Sequence, residues 1–269
     1  KRLLDDTPVA VVAWGVNALS LPLLAGATLV LHPLPRVDRL FWLGLVGSAA
    51  LNLAATLLST QALKLGDASL VTPILTFNPA FTLVIARITL GETPSRVGIA
   101  GVFFILLGGY VLTGRDRDAG WLRPFELLLS RSELCLALGA SFIWGLTPVT
   151  EKLAIEHSHP ANPPIVAFGS TALMVLFLFP LAWRSAPHPA LHLASHRRGF
   201  LLAAVIAGIA PVFGFTAVAL GLVGYVSALF KISTVFSIVW AVLFLGEKVP
   251  SERAIGSALM VVGAILVGI

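Results

Sequence analysis

Charge is what this sequence has least of. Its 269 residues include 18 Lys and Arg and 13 Asp and Glu, 12% of the chain. That is about half the share of roughly 25% found in soluble domains. A soluble chain of this length needs a charged coat, and these residues are too few to make one. The shortage excludes a cytosolic enzyme and a disordered tail. The net charge of +5 does not point to nucleic acid either, because the basic residues stand singly in short segments. Cysteine is equally scarce. Cys135 stands alone, which excludes an intrachain disulfide and a metal cluster built on cysteine. The sequence also lacks a phosphate-binding glycine-rich loop, a nucleotide-binding domain and paired metal carboxylates at helical spacing. ATP-driven pumping by this chain alone is therefore excluded, no catalytic constellation survives, and neither a cofactor nor a metal is expected.

Apolar sequence is what fills the chain, at 57% of residues, with a mean hydropathy of +0.94. A polytopic membrane protein remains. A bilayer core about 30 Å thick needs about 20 apolar residues at 1.5 Å rise. The charge-free runs predict nine spans, near 8–31, 40–63, 68–90, 96–114, 134–153, 164–184, 199–220, 223–246 and 252–269. The run 199–230 is too long for one span and divides at Gly221-Leu-Val-Gly224; the second helix then crosses the lone Lys231. These segments are apolar all round, not alternating as barrel strands are, so the expected class is all-α. The segment 114–133 is charged, holds Gly and Pro, and reads as a linker, with 125–130 as a short interfacial helix. His188, His192 and His196 are spaced by four. That spacing raises a metal site, but Pro187 and Pro189 beside them favour a solvated loop. His157 and His159 also read as loop residues.

An internal repeat is the most informative feature. Leu90-Gly91-Glu92 recurs as Leu245-Gly246-Glu247, a shift of 155. The same shift maps Ala62, Leu65 and Gly66 onto Ala217, Leu220 and Gly221, Gly101 onto Gly256, and Gly108 onto Gly263. A shift of 154 maps Val12-Ala13-Trp14-Gly15 onto Val166-Ala167-Phe168-Gly169. A period of 155 holds five spans. An odd number inserts the second copy upside down, the inverted-repeat plan of many secondary transporters. The expected organisation is a first repeat over 1–114, a linker over 115–132 and a second repeat over 133–269. The first repeat carries four spans to the second's five. The expectation is a ten-helix parent whose first helix, the counterpart of 134–153, lies before residue 1.

Trp144-Gly145 followed by Lys152, the Leu-Gly-Glu triplets at 90–92 and 245–247, and the glycine-spaced helices 98–109 and 254–264 carry a resemblance. The chain resembles EamA-type transporters of the drug/metabolite transporter superfamily over nearly its whole length. The resemblance implies a basket of ten helices around a central cavity. It also implies transport of small metabolites, with amino-acid exporters among the relatives. The motifs are weak guides to any substrate.

Polar groups inside spans cost free energy, about 2.5–3.5 kcal/mol for a charge at a helix centre. Lys231 lies about 4.5 Å from the centre of 223–246. It reads as a cationic contact for a carboxylate or phosphate, or as a structural lysine bonded to carbonyls of a broken helix. Thr76 is its repeat mate, and Asn78 pairs with Ser233. The stretch Thr76-Phe-Asn-Pro79 lies mid-span, where Pro79 removes a backbone hydrogen bond. Such interruptions are tolerated where the freed groups line a cavity. Asn78 serves equally as interhelical glue, worth about 0.6 kcal/mol. Asn17, Asn52 and Thr147 are further mid-span polar candidates. Trp144 sits away from the interfacial belt, either on a cavity wall or as a packed core ring. Glu92 and Glu247 stand just before the next helices, where acidic groups complement a helix N-terminus. Glu151 and Lys152 end a span, where a gate ion pair suggests itself, but adjacent residues point to different faces of a helix.

One side of the membrane collects twelve basic residues and the other four, with Arg87 near the boundary. The positive-inside rule puts the richer side in the cytoplasm; a ten-helix relative with both termini inside puts it outside. The main functional expectation is a secondary transporter, an exporter of a small polar metabolite such as an amino acid, working by alternating access. The competing class is a non-transporting integral membrane protein, an assembly partner or receptor. The expected partners are a small-molecule substrate and the lipid bilayer of the cell's inner membrane, without nucleic acid, in a monomer or homodimer.

Overall fold

The structure is a computed structural model of the 269-residue chain and describes residues 7–113, 130–186, 188, 193–245 and 251–269. The helices are α1 (Val9–Leu31), α2 (Arg39–Leu65), α3 (Ala68–Leu75), α4 (Asn78–Thr89), α5 (Arg96–Thr113), α6 (Ser132–Glu156), α7 (Pro163–Ser185), α8 (Arg197–Leu220), α9 (Val223–Phe230), α10 (Ser233–Leu245) and α11 (Ser251–Gly268). Seven segments are long and apolar enough to cross a membrane, and 96–112 and 254–268 are shorter apolar helices. Helices are the form such sequence takes, because hydrocarbon offers no partner for an unpaired backbone group. Leu43, Ile88, Phe213 and Leu243 are exposed, as lipid-facing side chains must be. Pro148, Pro180 and Pro211 lie inside helices that continue through them. The linker's interfacial helix and most of 115–132 fall outside the described residues.

The chain divides into two compact units, Lys1–Leu53 with Thr150–Leu220, and Ala54–Val149 with Gly221–Ile269. Helices α2 and α6 each pass from one unit into the other. In the first unit α1 packs along α7, its mate under the 154 shift. Val11 meets Ala182 and Ala186, Trp14 meets Phe179 at 5.8 Å between ring centroids, and Thr28 O accepts from Asn162 Nδ2. Low numbers meet high ones, so these repeat mates run antiparallel. A reciprocal contact accompanies them. A Cβ on Gly15 would lie 3.0 Å from Phe200, and one on its mate Gly169 would lie 2.9 Å from Leu45, the mate of Phe200.

A small clasp closes one end of this unit. Strand β1 (Arg36–Val37) pairs antiparallel with β2 (Ser158–His159). Asp38 accepts from the N–H groups of Leu40 and Phe41 at 2.9 and 3.0 Å and so caps α2. Its other oxygen meets His157 Nδ1 at 2.7 Å. The Phe41 N–H and the imidazole beside it hold the Asp38 carboxyl below the usual carboxylate range. His157, read from the sequence as a plain loop residue, is therefore the hydrogen-bond partner of Asp38. Asn162 caps α7 through Ile165 N–H at 3.0 Å, with Pro163 and Pro164 in the first turn.

In the second unit α5 packs along α11, again repeat mates. A Cβ on Gly101 would lie 2.6 Å from Gly263 O, and one on Gly108 would lie 2.5 Å from Gly256 O. Gly101 and Gly256 are mates, as are Gly108 and Gly263, so each meets the other's partner. Backbones this close need residues without side chains. Helix α9 packs on α4, where Gly224 meets Leu83, and a Cβ on Gly145 of α6 would lie 3.1 and 3.2 Å from Asn78 O and Thr82 N of α4.

Candidate functional site

Two spans, 68–90 and 223–246, are each broken. The first pauses at Thr76–Phe77 and the second at Lys231–Ile232. The shift of 155 carries one break onto the other residue for residue. At the first, Phe77 N–H bonds Ile74 O at 3.2 Å and Ala80 N–H bonds Phe77 O at 3.0 Å. At the second, Lys231 N–H bonds Ala228 O and Ile232 N–H bonds Leu229 O, both at 3.0 Å. These are three-residue steps, the tighter 3₁₀ geometry that often marks a functional interruption. Pro79 in the first turn of α4 explains the first break. Its mate Thr234 keeps its N–H and bonds Lys231 O at 3.1 Å.

Both breaks lean on α5. Phe77 meets Tyr110 edge-on at 6.1 Å. Ala228 lies in one core cluster with Val102, Ile105 and Leu106, and Ala80 and Val235 pack against it. Lys231 is half-buried, and among the described residues no carboxylate pairs with it and no carbonyl bonds its ammonium. Thr76 Oγ1 donates to Pro73 O at 2.7 Å. Asn78 Oδ1 is buried without a partner among the described residues. Its carbonyl accepts from Thr82 Oγ1 at 3.0 Å. Ser233 is exposed, and its carbonyl accepts from Ser237. Trp144 is half-buried on α6, and Thr147, buried one turn on, donates to Ile143 O at 3.2 Å. Asn17 and Asn52 belong to the first unit. Asn17 Nδ2 bonds Ala13 O within its own helix at 2.8 Å. Asn52 is half-buried.

Three polar groups stand out that the sequence reading passed over or placed elsewhere. Ser141 is fully buried and its hydroxyl has no partner among the described residues. It shares a face of α6 with Leu134, Ala137 and Gly145. Leu134 and Ala137 pack with Val71 and Ile74, and Gly145 packs at Asn78, which puts Ser141 between them at the level of the first break. Glu92 does not cap the helix that follows it. Both its oxygens accept from Val223 N–H, at 3.0 and 2.9 Å, and so cap α9. Gly91 makes this turn with φ +68, a value glycine adopts freely. Glu151 does not face Lys152 but accepts from Ser48 Oγ at 3.1 Å. Its mid-helix serine partner left no local signal. His188 and His196 are described and His192 is not; no group of three metal-ligating side chains occurs among the described residues.

A model of the EamA-like transporter family matches residues 1–114 and 131–269. The chain belongs to the EamA-like transporter family. It is an integral membrane transporter of the drug/metabolite transporter superfamily, not an enzyme, and its partners are the bilayer and a small-molecule substrate. An EamA chain's all-helical membrane fold accounts for the architecture above. A protein of known crystal structure shares that fold, with a TM-score of 0.72 at 17% identity over 98% of this chain and 90% of that one. No curated protein matches the sequence.

Proposed function

We propose that this EamA-family protein is a secondary transporter that exports a small polar metabolite, such as an amino acid, by alternating access across the inner membrane. It acts as a monomer or homodimer. The observation that carries the reading is the pair of matched helix breaks, at 76–77 and 231–232. Irregular backbone at membrane depth is tolerated where it is buried in protein or lines a water-filled cavity. Discontinuous helices near the midplane are where inverted-repeat transporters hold their substrates. The antiparallel packing of α1 on α7 and α5 on α11 supports two inverted repeats, 1–114 and 133–269, joined by 115–132. On an antiparallel register that sets Leu83 against Gly224, seven residues further would bring Thr76 level with Lys231.

The proposed chemistry starts from the Lys231 ammonium and the Asn78 amide oxygen. The Lys231 ammonium takes a carboxylate or phosphate of the substrate, and the Asn78 amide oxygen takes an N–H donor. The hydroxyls of Thr76, Ser233 and Thr147 add hydrogen bonds, and Trp144 forms a wall. Asn17 and Asn52 are proposed polar contacts on the first unit. Full-length protein in liposomes, offered a radiolabelled pool of amino acids and a sugar phosphate, tests the reading. A hydrogen bond to a charged group is worth about 1.5–3 kcal/mol. Lys231→Met should therefore slow uptake at least tenfold with the fold retained, and Lys231→Arg should recover part of it. Uptake by Lys231→Met at the parental rate refutes the site. No uptake of any pool member by the parent refutes the substrate class.

A further inference from the structure

We propose that Glu151 is a proton-binding site of this transporter, taken up and released as the carboxyl alternates between ionised and neutral forms during the cycle. The inference goes beyond the substrate site above and stands in the first unit alone. Glu151 lies inside the apolar span Ser132–Glu156, five residues from its end. Its one polar partner among the described residues is Ser48 Oγ, at 3.1 Å, about a third of the way along α2. Ser48 itself is fully buried. The two helices cross here with almost no gap: a Cβ on Gly44 would lie 2.7 Å from Thr150 O and 2.8 Å from Ala154 N. Gly44 and Ser48, four apart, form the small-residue seam that lets the backbones touch. That seam presses the carboxyl against a neutral hydroxyl instead of a cation.

Among the described residues no cation pairs with the carboxylate. On its own helix stand Glu133, Lys152, Glu156 and, just beyond, His157. Lys152 is adjacent and points to another face. On α2 the ionisable residues are Arg39, about 13 Å along the helix from Ser48, and Lys64 near the far end, with Asp38 just before it. Helix α1 carries no charged residue, α7 carries Arg184 in its last turn, and α8 carries Arg197 and Arg198 in its first. Among the described residues none forms an ion pair with Glu151. An ionisable residue within a span points first to a functional site, proton relays among them. Ser48 suits both forms, since its hydroxyl donates to the carboxylate and accepts from the neutral acid. The step is an acid–base one: the carboxylate gains a proton and loses it to water, and no other bond changes.

Infrared difference spectroscopy of the full-length protein in lipid vesicles, titrated from alkaline to acidic pH, reads the site directly. The expected result is a carboxylic-acid carbonyl band that grows as pH falls and is missing in Glu151→Gln. Ser48→Ala, which removes only the hydroxyl, should keep the band and shift its titration midpoint. An identical band in Glu151→Gln, or no titrating band in the parent, overturns the proposal. A second arm uses the same vesicles loaded with a pH-sensitive dye and given the radiolabelled amino-acid pool. Proton movement that accompanies uptake in the parent and vanishes in Glu151→Gln supports coupling. Uptake without proton movement in the parent overturns it. A parent that takes up no pool member refutes the substrate class proposed above, while the infrared arm still decides protonation.

Discussion

Glu92→Ala should loosen the start of α9, and the size of the effect follows from the geometry. Val223 is the first residue of α9 and is fully buried. Its N–H belongs to the donors that no helix can satisfy internally, and Glu92 holds it with both oxygens at 3.0 and 2.9 Å. Truncation leaves a buried N–H unpaired, about 1–3 kcal/mol. It also removes a negative charge from a helix N-terminus, about 0.3–1 kcal/mol more. A middle value of about 2 kcal/mol corresponds to roughly 30-fold faster opening, since 1.4 kcal/mol is tenfold. Hydrogen exchange of the 223–230 amides in detergent micelles measures it. Glu92→Gln keeps an acceptor oxygen but not the charge, so its exchange should rise by a few-fold only. Unchanged exchange in Glu92→Ala would show that the carboxylate does not hold the helix. Equal effects of Ala and Gln would show that charge alone, without the hydrogen bond, accounts for the stability.

Gly108→Ala should destabilise the protein by about 1–3 kcal/mol, the usual cost of overpacking, because its Cβ would lie 2.5 Å from Gly256 O. Gly26→Ala, in α1 with nothing within 4 Å of its Cβ, should instead stabilise it by about 0.5–1 kcal/mol; thermal unfolding in one detergent compares the two. The third prediction concerns acid. Asp38 has its carboxyl lowered from the ordinary value of 3.8, so its contribution is fully present above that value and is lost as pH falls through the lower folded one. Exchange of the Val37 and His159 amides should therefore rise in strong acid, and Asp38→Asn should abolish that pH dependence. A pH-dependent rise that persists in Asp38→Asn would move the switch to another group.

The span boundaries were legible because charges mark where a helix leaves hydrocarbon. The run near 8–31 became Val9–Leu31, and 252–269 became Ser251–Gly268. The first break was legible for a local reason, since Pro79 has no N–H to give. What the sequence could not reveal was long-range. Glu92 reads as the acid before the next helix, yet its partner lies 131 residues on. Only tertiary packing brings Val223 there. Glu151 looks like the neighbour of Lys152, yet its partner Ser48 is 103 residues away. Asn17 carries the mark of a functional amide and turns back on Ala13 O of its own helix, as an amide in an apolar helix readily does. Ser141 is the opposite case, a small residue that looks like packing and has an unpaired hydroxyl.

The second break is the instructive one, because no residue in it is a helix breaker. Different local chemistry holds the two pauses. In the first, the Thr76 hydroxyl bonds Pro73 O and Pro79 withholds a donor. In the second, the Thr234 hydroxyl and amide both bond Lys231 O, at 2.6 and 3.1 Å. If proline alone set the break, α9 and α10 would run on as one helix. What the two breaks share is their packing on α5. Ala228 before the pause and Val235 after it both reach the cluster around Ile105 and Leu106, as residues seven apart on one helix face do. The interruption recurs at matched positions in two different sequences. The chain has put its one mid-span lysine at that same level, where the backbone is already irregular. A charge costs least there, and there it can also serve.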